Sequence, residues 1–421
     1  MTPQDLSYAI DAVERCLDFS QPADGQLSAF FRHSPKLGRR QRAFVAETAY
    51  GVLRRLRSLE YLATAGSGRK PTPRRLALAW LARFGGHNLR QLEPLVGKGD
   101  LTWLMDVKAA DLSGLGEAQR LDLPDWLHAR LAEQYGGALP GLMASLNVPA
   151  PLDLRVNPAR IGREEALAAL RADGIAAEAT PWSPLGLRLQ GKPALQRYPR
   201  YLDGSLEVQD EGSQILGQLL APRRGEMVCD FCAGAGGKTL LLGALMRNTG
   251  RLYAFDVSDR RLARFKPRLA RSGLSNVQAQ VIAHERDVRV KRLADRLDRV
   301  LVDAPCSGLG TLRRNPDLKW RQTPESVMGL ARQQLAILEA ASRLVKAGGR
   351  LVYATCSLLT EENETVVADF LRAHTEFRLV PAGQVLASQR IALEMGDVLR
   401  LDPEQHGTDG FFAAVLDRGP A

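Results

Sequence analysis

The stretch Arg299–Gly308 has the sequence RVLVDAPCSG, and Gly349–Ser357 has the sequence GRLVYATCS. Each stretch is an apolar run typical of a strand in a parallel sheet, and each ends at a cysteine followed by a serine. Ligands bind beyond the carboxyl ends of such strands, so Cys306 and Cys356 are expected to face one crevice. The alternative is two buried structural thiols, because free cysteine is among the most buried residues. Because both cysteines lie at strand ends, a catalytic role is favoured over a structural one.

Strand and helix patterns alternate from Met227 onward, which is typical of a doubly wound parallel sheet. The first strand leads into a glycine-rich loop, and the second, Arg251–Asp256, ends on a carboxylate. In nucleoside-binding folds, glycines let the backbone approach the ligand and the acid receives the ribose hydroxyls. The predicted cofactor-binding residues are therefore Cys232, Ala233, Gly234, Ala235, Gly236, Gly237, Lys238 and Asp256.

Three kinds of nucleoside ligand are candidates for this loop: a P-loop nucleotide, a dinucleotide and S-adenosylmethionine. Gly237–Thr239 imitates the end of a P-loop, but that motif needs a glycine where Cys232 stands. The dinucleotide fingerprint needs a third glycine that the loop lacks. S-adenosylmethionine remains, because it has no phosphates and needs only a short glycine turn and one ribose-binding acid.

The motifs DAPCSG and YATCS, with EENE at Glu361–Glu364, resemble the Nop/Sun family of RNA 5-methylcytosine methyltransferases, and especially its RsmB-like ribosomal RNA members. The resemblance implies a Rossmann-like class I methyltransferase domain. It also implies that Cys356 attacks carbon 6 of cytosine, that Cys306 assists product release, and that Asp303 assists at the base and contacts the cofactor. DNA cytosine enzymes take their nucleophile from a Pro-Cys sequence, which would nominate Cys306. The residues by themselves leave this order open.

The chain departs from the family pattern at two places. The family loop carries Ala-Pro where this chain has Gly234 and Ala235. The family's third cofactor contact is an acid in a Gly-Asp-Gly-like segment, and the corresponding segment here, Ala283–Asp287, has the sequence AHERD. His284 or Asp287 is predicted to serve in its place.

Three regions are predicted from the patterns along the chain. Residues 1–140 carry apolar residues at helical spacing, which indicates an all-helical domain that weakly resembles the NusB-like RNA-binding domain of the RsmB-like members. Residues 141–215 alternate short strands with a helix, which indicates a small α/β subdomain. Residues 216–421 form the predicted methyltransferase domain, so the fold class is α/β.

Between Phe31 and Arg75 the sequence has twelve Lys or Arg residues against two acids. A charge run is usually a solvated helix face, but so few nearby acids leave little room for compensating i,i+4 pairs, which favours contact with RNA phosphates. These twelve, called the N-terminal basic set below, are Arg32, Lys36, Arg39, Arg40, Arg42, Arg54, Arg55, Arg57, Arg69, Lys70, Arg74 and Arg75. A second basic loop, Arg313–Arg321, contains Trp320, which either stacks on an RNA base or packs under the loop.

The composition of the chain indicates which partners, cellular location and cofactors to expect. A formal net charge of +10 favours a polyanionic partner such as RNA. No stretch is long and apolar enough to predict a membrane span, and no secretion signal is recognisable, so a cytoplasmic protein is expected. Five cysteines form an odd, sparse set that argues against disulfides, and the pair Cys229 and Cys232 lacks the further ligands that zinc needs. The protein is expected to bind no metal. It is also expected to be a monomer.

Together these patterns predict an S-adenosylmethionine-dependent enzyme that methylates carbon 5 of a cytosine in RNA. The RsmB-like layout makes 16S-type ribosomal RNA the first substrate expected, with transfer RNA second. A protein of another class, a ribosome-assembly RNA-binding factor whose methylation is secondary, is the remaining alternative. The presence of Asp256, Asp303, Cys306 and Cys356 argues against it.

Overall fold

The computed structural model describes residues 1–64 and 71–420. The chain divides into two compact units. One comprises Met1–Pro149 together with Thr311–Pro324, and the other comprises Ala150–Gly310 together with Glu325–Ala421. None of the helices in the described residues has the length and apolarity needed to cross a membrane.

The first unit is helical. Its first helix shows why: Leu6, Ala9 and Val13 recur at helical spacing and are all buried, and Thr2 caps the helix by accepting a hydrogen bond from the Asp5 backbone. The helices are α1 Pro3–Cys16, α2 Ala23–His33, α3 Arg39–Arg54, α4 Leu56–Thr64, α5 Pro73–Arg83, α6 Leu89–Leu92, α7 Lys98–Ala109, α8 Glu117–Arg120, α9 Asp125–Tyr135 and α10 Leu139–Leu146.

The segment Thr311–Pro324 belongs to this helical unit although it follows Cys306 in sequence. It contains the short helix α17, Leu318–Arg321. The Lys319 ammonium is buried and donates to the Arg54 carbonyl at 2.9 Å, and burial lowers the pKa of Lys319 to about 7. The Trp320 indole N–H donates to the Leu53 carbonyl at 2.7 Å, and its ring packs against the helical core. Of the two interpretations of Trp320, the packed one is observed.

The second unit contains a four-stranded antiparallel sheet in the order β2-β3-β1-β4. Leu154 and Val156 of β1 are fully buried under a helix that supplies Leu167 and Leu170 to the same core. This is the small α/β structure that the sequence predicts. Its elements are β1 Leu152–Val156, α11 Arg163–Ala172, β2 Ala177–Ala179, β3 Gly186–Leu189, α12 Pro199–Leu202 and β4 Leu206–Val208.

The large sheet of this unit has the order β10-β12-β9-β8-β5-β6-β7, with β11 beside β12. The strands from β9 to β7 are parallel, and β12 runs antiparallel to β9. Strand order reverses at β5, where such sheets bind ligands. The strands are β5 Met227–Asp230, β6 Arg251–Asp256, β7 Val277–Val281, β8 Leu297–Asp303, β9 Val345–Thr355, β10 Phe377–Val380, β11 Leu399–Leu401 and β12 Phe411–Arg418.

Helices cover both faces of the large sheet. Along β8 the side chains alternate, so that Val300 and Val302 enter one hydrophobic core and Leu301 enters the other. Two buried faces explain why β8 is a continuous apolar run. The predicted Rossmann-like α/β class is confirmed. The helices are α13 Glu211–Leu220, α14 Gly237–Leu245, α15 Asp259–Ser272, α16 Val288–Lys291, α18 Pro324–Ser342, α19 Glu364–Ala373 and α20 Ala382–Ser388.

Candidate active site

A cavity of about 730 Å³ opens at the carboxyl ends of the parallel strands in the second unit. Three of these strands end on an aspartate, because Asp230, Asp256 and Asp303 are the last residues of β5, β6 and β8. All three line the cavity, and so do Cys306 and Cys356. The two strands that end before cysteines therefore do lead into one crevice.

The glycine loop forms one wall of the cavity, and its backbone explains its composition. Gly234 and Gly236 have φ angles of 57° and 81°, the left-handed region that glycine enters without strain. A Cβ atom on Gly236 would also lie 1.9 Å from the Phe265 ring, so no larger residue fits there. Helix α14 then begins at Gly237.

Two arginines hold the carbonyl groups of this loop. Arg268 of α15 donates to the Ala235 carbonyl at 2.6 Å, and Arg155 of β1 donates to the Gly237 carbonyl at 2.7 Å. Arg155 is 2% exposed, so the four-stranded sheet buries the group that fixes the loop. The small sheet thus contributes to the shape of the cavity wall.

Two of the strand-end aspartates present buried acceptors. The Asp256 carboxylate accepts from the backbone N–H of Gly234 at 2.8 Å and of Ser258 at 2.7 Å. Asp230 accepts from the Thr239 hydroxyl at 2.7 Å through Oδ2, whereas its buried Oδ1 has no hydrogen-bond partner. Burial raises the pKa of Asp230 to about 7. An unsatisfied buried acceptor in a cavity wall is suited to a ligand that brings a donor.

Lys238 and Asp303 form an ion pair in the cavity, with 2.7 Å between Nζ and Oδ2. Burial opposes the ammonium, but the charge of Asp303 and its hydrogen bond outweigh burial and raise the pKa of Lys238. The charge of Cys356 contributes to the same increase. Lys238 therefore stays a cation that interacts with both the aspartate and the thiol.

The two cysteine sulfurs lie 3.4 Å apart, and the Cys356 backbone N–H points to the Cys306 sulfur at 3.3 Å. The hydrogen bond with Cys356 raises the pKa of Cys306 well above its usual value, and burial adds to the increase. Cys306 is therefore a neutral thiol near pH 7. One neutral thiol beside a second thiol provides a proton carrier next to a nucleophile.

The structure places the predicted site residues as follows. Those that line the cavity are Cys232, Ala233, Gly234, Ala235, Gly237, Lys238, Asp256, Asp303, Cys306 and Cys356, and Gly236 forms the turn between them. His284 does not line it but accepts from the Arg286 backbone N–H at 3.1 Å, and Asp287 caps α16. The acid that lines the cavity from this segment is Glu285.

The prediction missed the acids Asp230 and Glu285 and several other residues that line the cavity. Val208, Gln209 and Ser213 come from the segment that joins the small sheet to α13, and Gln333 and Ile337 come from α18. A further missed group is Arg261, Arg264 and Arg268. These arginines recur at helical spacing on α15 directly after the Asp256 strand, a signal that the sequence does contain.

The described residues contain no cluster of three or more His, Cys, Asp or Glu side chains arranged to hold a metal ion. Cys229 is fully buried in the core, whereas Cys232 lines the cavity. The two cysteines of the C-x-x-C spacing thus have different surroundings.

Within the helical unit, members of the N-terminal basic set differ in their surroundings. Arg55, Arg57 and Arg74 form ion pairs with Asp122, Asp125 and Asp100. These are not the i,i+4 pairs that the scarcity of nearby acids argues against, because folding brings in acids from further along the chain. The exposed members are Arg32, Lys36, Arg39 and Arg40. Arg69 and Lys70 lie outside the described residues.

Known proteins are similar to this chain in architecture and in sequence. Residues 217–417 match the family model of the 16S rRNA methyltransferase RsmB/F, and residues 123–196 match the ferredoxin-like domain model of RsmF/B-like methyltransferases. The probable ribosomal RNA small subunit methyltransferase B of Synechocystis sp. is 34% identical over 90% of this chain and 91% of its own length. The ribosomal RNA small subunit methyltransferase B of Erwinia tasmaniensis is 31% identical, with 97% of each chain covered.

Among solved structures, the crystal structure of PH0851 superposes with a TM-score of 0.80 at 27% identity, covering 99% of both chains. The resemblance inferred from the cysteine motifs is therefore confirmed over nearly the full length of the chain. This protein belongs to the RsmB/F group of 16S rRNA methyltransferases, within the Nop/Sun family.

Proposed function

We propose that this protein transfers a methyl group from S-adenosylmethionine to carbon 5 of a cytosine in 16S-type ribosomal RNA, through a covalent adduct with Cys356. The observation that carries the proposal is the pair of thiols, 3.4 Å apart, in the cavity that also holds Lys238 and Asp303. Methylation of an exocyclic amine needs no thiol. Methylation of a ring carbon needs a nucleophile that makes the carbon electron-rich and a base that removes its proton.

The cavity suits the cofactor. Its volume of about 730 Å³ lies within the range of sites for molecules of this size. Asp256 offers a buried carboxylate to the ribose hydroxyls, and the unsatisfied Oδ1 of Asp230 offers an acceptor to an ammonium group. We also propose Glu285 as the third acidic contact, in place of His284 and Asp287, because Glu285 lines the cavity.

The chemistry assigns a separate task to each thiol. The Cys356 thiolate forms a bond to carbon 6 of the cytosine, and the electrons displaced from the 5,6 double bond make carbon 5 nucleophilic. S-adenosylmethionine supplies the methyl group that carbon 5 takes up. Bonding of Cys356 to carbon 6 removes the Cys356 charge that helps to raise the pKa of Cys306, so Cys306 releases its proton to solvent. The Cys306 thiolate then removes the carbon 5 proton, the 5,6 double bond re-forms, and the bond between carbon 6 and Cys356 breaks. We assign to Asp303 a hydrogen bond to the base, and its ion pair with Lys238 supports a role in orienting that lysine.

The substrate proposal rests on the names of the relatives, which act on small-subunit ribosomal RNA. The test incubates purified protein with S-adenosylmethionine and either 16S ribosomal RNA or transfer RNA, followed by bisulfite sequencing. We expect one protected cytosine in the ribosomal RNA. Methylation confined to transfer RNA would show that transfer RNA, and not ribosomal RNA, is the substrate. Binding of RNA without any methylation would favour the ribosome-assembly factor.

A second expected result concerns RNA affinity. We expect the triple variant Lys36→Glu, Arg39→Glu and Arg40→Glu to weaken RNA binding and to lower the slope of log affinity against log salt by about 2, the effect of losing three phosphate contacts. Arg39 and Arg40 begin α3, where acidic residues favour the helix dipole, so the unit should still fold. Filter binding at several salt concentrations measures the slope.

The matched control carries the same charge change elsewhere in the helical unit, at the exposed residues Arg90, Lys98 and Arg120. Equal slopes for the two triple variants would show that only net charge matters. If the Lys36, Arg39 and Arg40 variant has the same salt slope as the unmodified protein, these residues do not contact phosphates and only form a solvated helix face. In every case, cofactor affinity is expected to stay the same, because these residues lie outside the unit that contains the cavity.

A further inference from the structure

Glu362 is a fully buried carboxylate that the mechanism above does not use. It ends a short helical turn that follows Cys356 in sequence. Its Oε1 accepts from the Ser307 backbone N–H at 2.8 Å and from the Gln334 amide at 2.9 Å. Its Oε2 accepts from the hydroxyls of both Ser307 and Ser357. A single carboxylate therefore binds the residues that directly follow the two cysteines.

The two serines also contact each other, with 3.1 Å between their hydroxyl oxygens. Ser307 and Ser357 are 0% and 2% exposed, so water does not compete for these bonds. The next residue, Asn363, accepts from the Thr355 hydroxyl and donates to the Ser357 carbonyl at 3.1 Å, which fixes the chain on both sides of Cys356. The loop after β8 and the loop after β9 are thus joined at one buried point.

We propose that Glu362 is a positioning residue, whose carboxylate holds the loops of Cys306 and Cys356 at the separation that lets both sulfurs reach one base. Cys306 and Cys356 each lie one residue from a serine that Glu362 binds. A shift of either loop would change the 3.4 Å distance between the sulfurs. The effect of Glu362 on catalysis rests on the function proposed above. The effect of Glu362 on the positions and pKa of the two thiols does not depend on that function.

The charge of Glu362 has a second consequence. Among the described residues, Cys356, Glu362 and Tyr353 are ionisable groups that interact electrostatically with Cys306. The hydrogen bond with Cys356 and burial raise the pKa of Cys306 most, and the negative charge of Glu362 raises it further. Removal of that charge favours the thiolate, so the pKa of Cys306 should fall. The carboxylate thus helps to keep Cys306 protonated while Cys356 acts as the nucleophile.

The test measures thiol reactivity without RNA or cofactor. Each variant is treated with iodoacetamide over a pH series, and alkylation of Cys306 and Cys356 is followed separately by peptide mass spectrometry. In Glu362→Gln we expect the alkylation profile of Cys306 to move to lower pH. In Ser357→Ala the charge remains but one bond between the loops is lost, so the profile should move little. Glu361→Gln removes the neighbouring carboxylate and is the matched control.

The same variants are then compared in single-turnover methylation. We expect Glu362→Gln to slow the reaction by about tenfold or more, as misplaced reacting groups do, while the KM for RNA and the cofactor Kd stay within about twofold. Ser357→Ala should slow it less, and Glu362→Asp should recover part of the rate. If Glu362→Gln does not fold, Ser307→Ala and Ser357→Ala test the same contacts separately.

An unchanged alkylation profile in folded Glu362→Gln, or an equal change in Glu361→Gln, would overturn the proposal. Equal methylation rates in Glu362→Gln and the unmodified protein would overturn it as well. If no variant, including the unmodified protein, methylates RNA, the proposed function fails, and the alkylation profiles still decide whether Glu362 controls the thiols.

Discussion

Cys306→Ala is expected to accumulate a protein–RNA complex that survives denaturing gel electrophoresis, whereas Cys356→Ala is expected to form none. In Cys306→Ala the Cys356 thiolate still adds to carbon 6 and the methyl group is still transferred. The carbon 5 proton then has no base to receive it, so the bond between carbon 6 and Cys356 cannot break. The complex is the covalent intermediate, trapped before elimination.

Cys356→Ala removes the nucleophile itself. We expect methylation to fall by at least about a thousandfold, the order of loss seen when a covalent nucleophile is removed. RNA binding and cofactor binding should persist, because neither depends on the thiol. Incubation of both variants with cofactor and 16S ribosomal RNA, followed by one denaturing gel, compares them directly.

The opposite gel pattern would reverse the assignment. If Cys306 were the nucleophile, as the Pro-Cys sequence of DNA cytosine enzymes suggests, Cys356→Ala would trap RNA and Cys306→Ala would not. A matched control is Cys16→Ala, which removes a buried thiol from the helical unit. If Cys16→Ala also formed a complex stable to denaturation, the complex would not depend on the loss of a cysteine in the cavity.

Asp256→Ala is expected to weaken cofactor binding by about 1.5–3 kcal/mol, or about 10- to 150-fold, the cost of losing hydrogen bonds to a charged acceptor. The carboxylate is 3% exposed as a side chain and is already held by the Gly234 and Ser258 backbones. The substitution therefore removes the ribose acceptor and loosens the glycine turn together. Both effects act against the cofactor.

Calorimetry with S-adenosylhomocysteine measures this loss without catalysis. Asp259→Ala is the matched control, because Asp259 is an exposed carboxylate at the start of α15 and does not line the cavity. Its affinity should match that of the unmodified protein. Unchanged affinity in a folded Asp256→Ala variant would remove Asp256 from the cofactor site.

Local patterns predicted the framework of the cavity well. Two apolar runs that end before cysteines predicted two strands of a parallel sheet that lead into one crevice, and the structure shows β8 and β9 paired in parallel. The glycine loop and Asp256 were predicted from their order along one βαβ unit. Such predictions succeed because strand burial, helix starts and glycine turns each depend on a few consecutive residues.

Contacts between distant parts of the chain were not predictable in this way. Arg55 pairs with Asp122, which is 67 positions away, and Glu285 rather than His284 turns towards the cavity. Lys319 and Trp320 belong to the helical unit although the sequence places them just after the Cys306 loop. No periodicity marks such contacts, because they depend on how whole elements pack.

The sequence by itself determined the α/β class, the strand ends that carry Asp256, Asp303, Cys306 and Cys356, and the family resemblance that these motifs convey. Only the tertiary structure decided that the two sulfurs lie 3.4 Å apart and that Glu362 joins their loops. The physical reason is that a residue's place on a strand follows from local burial. The distance between two loops follows from hydrogen bonds that form only when the strands have paired.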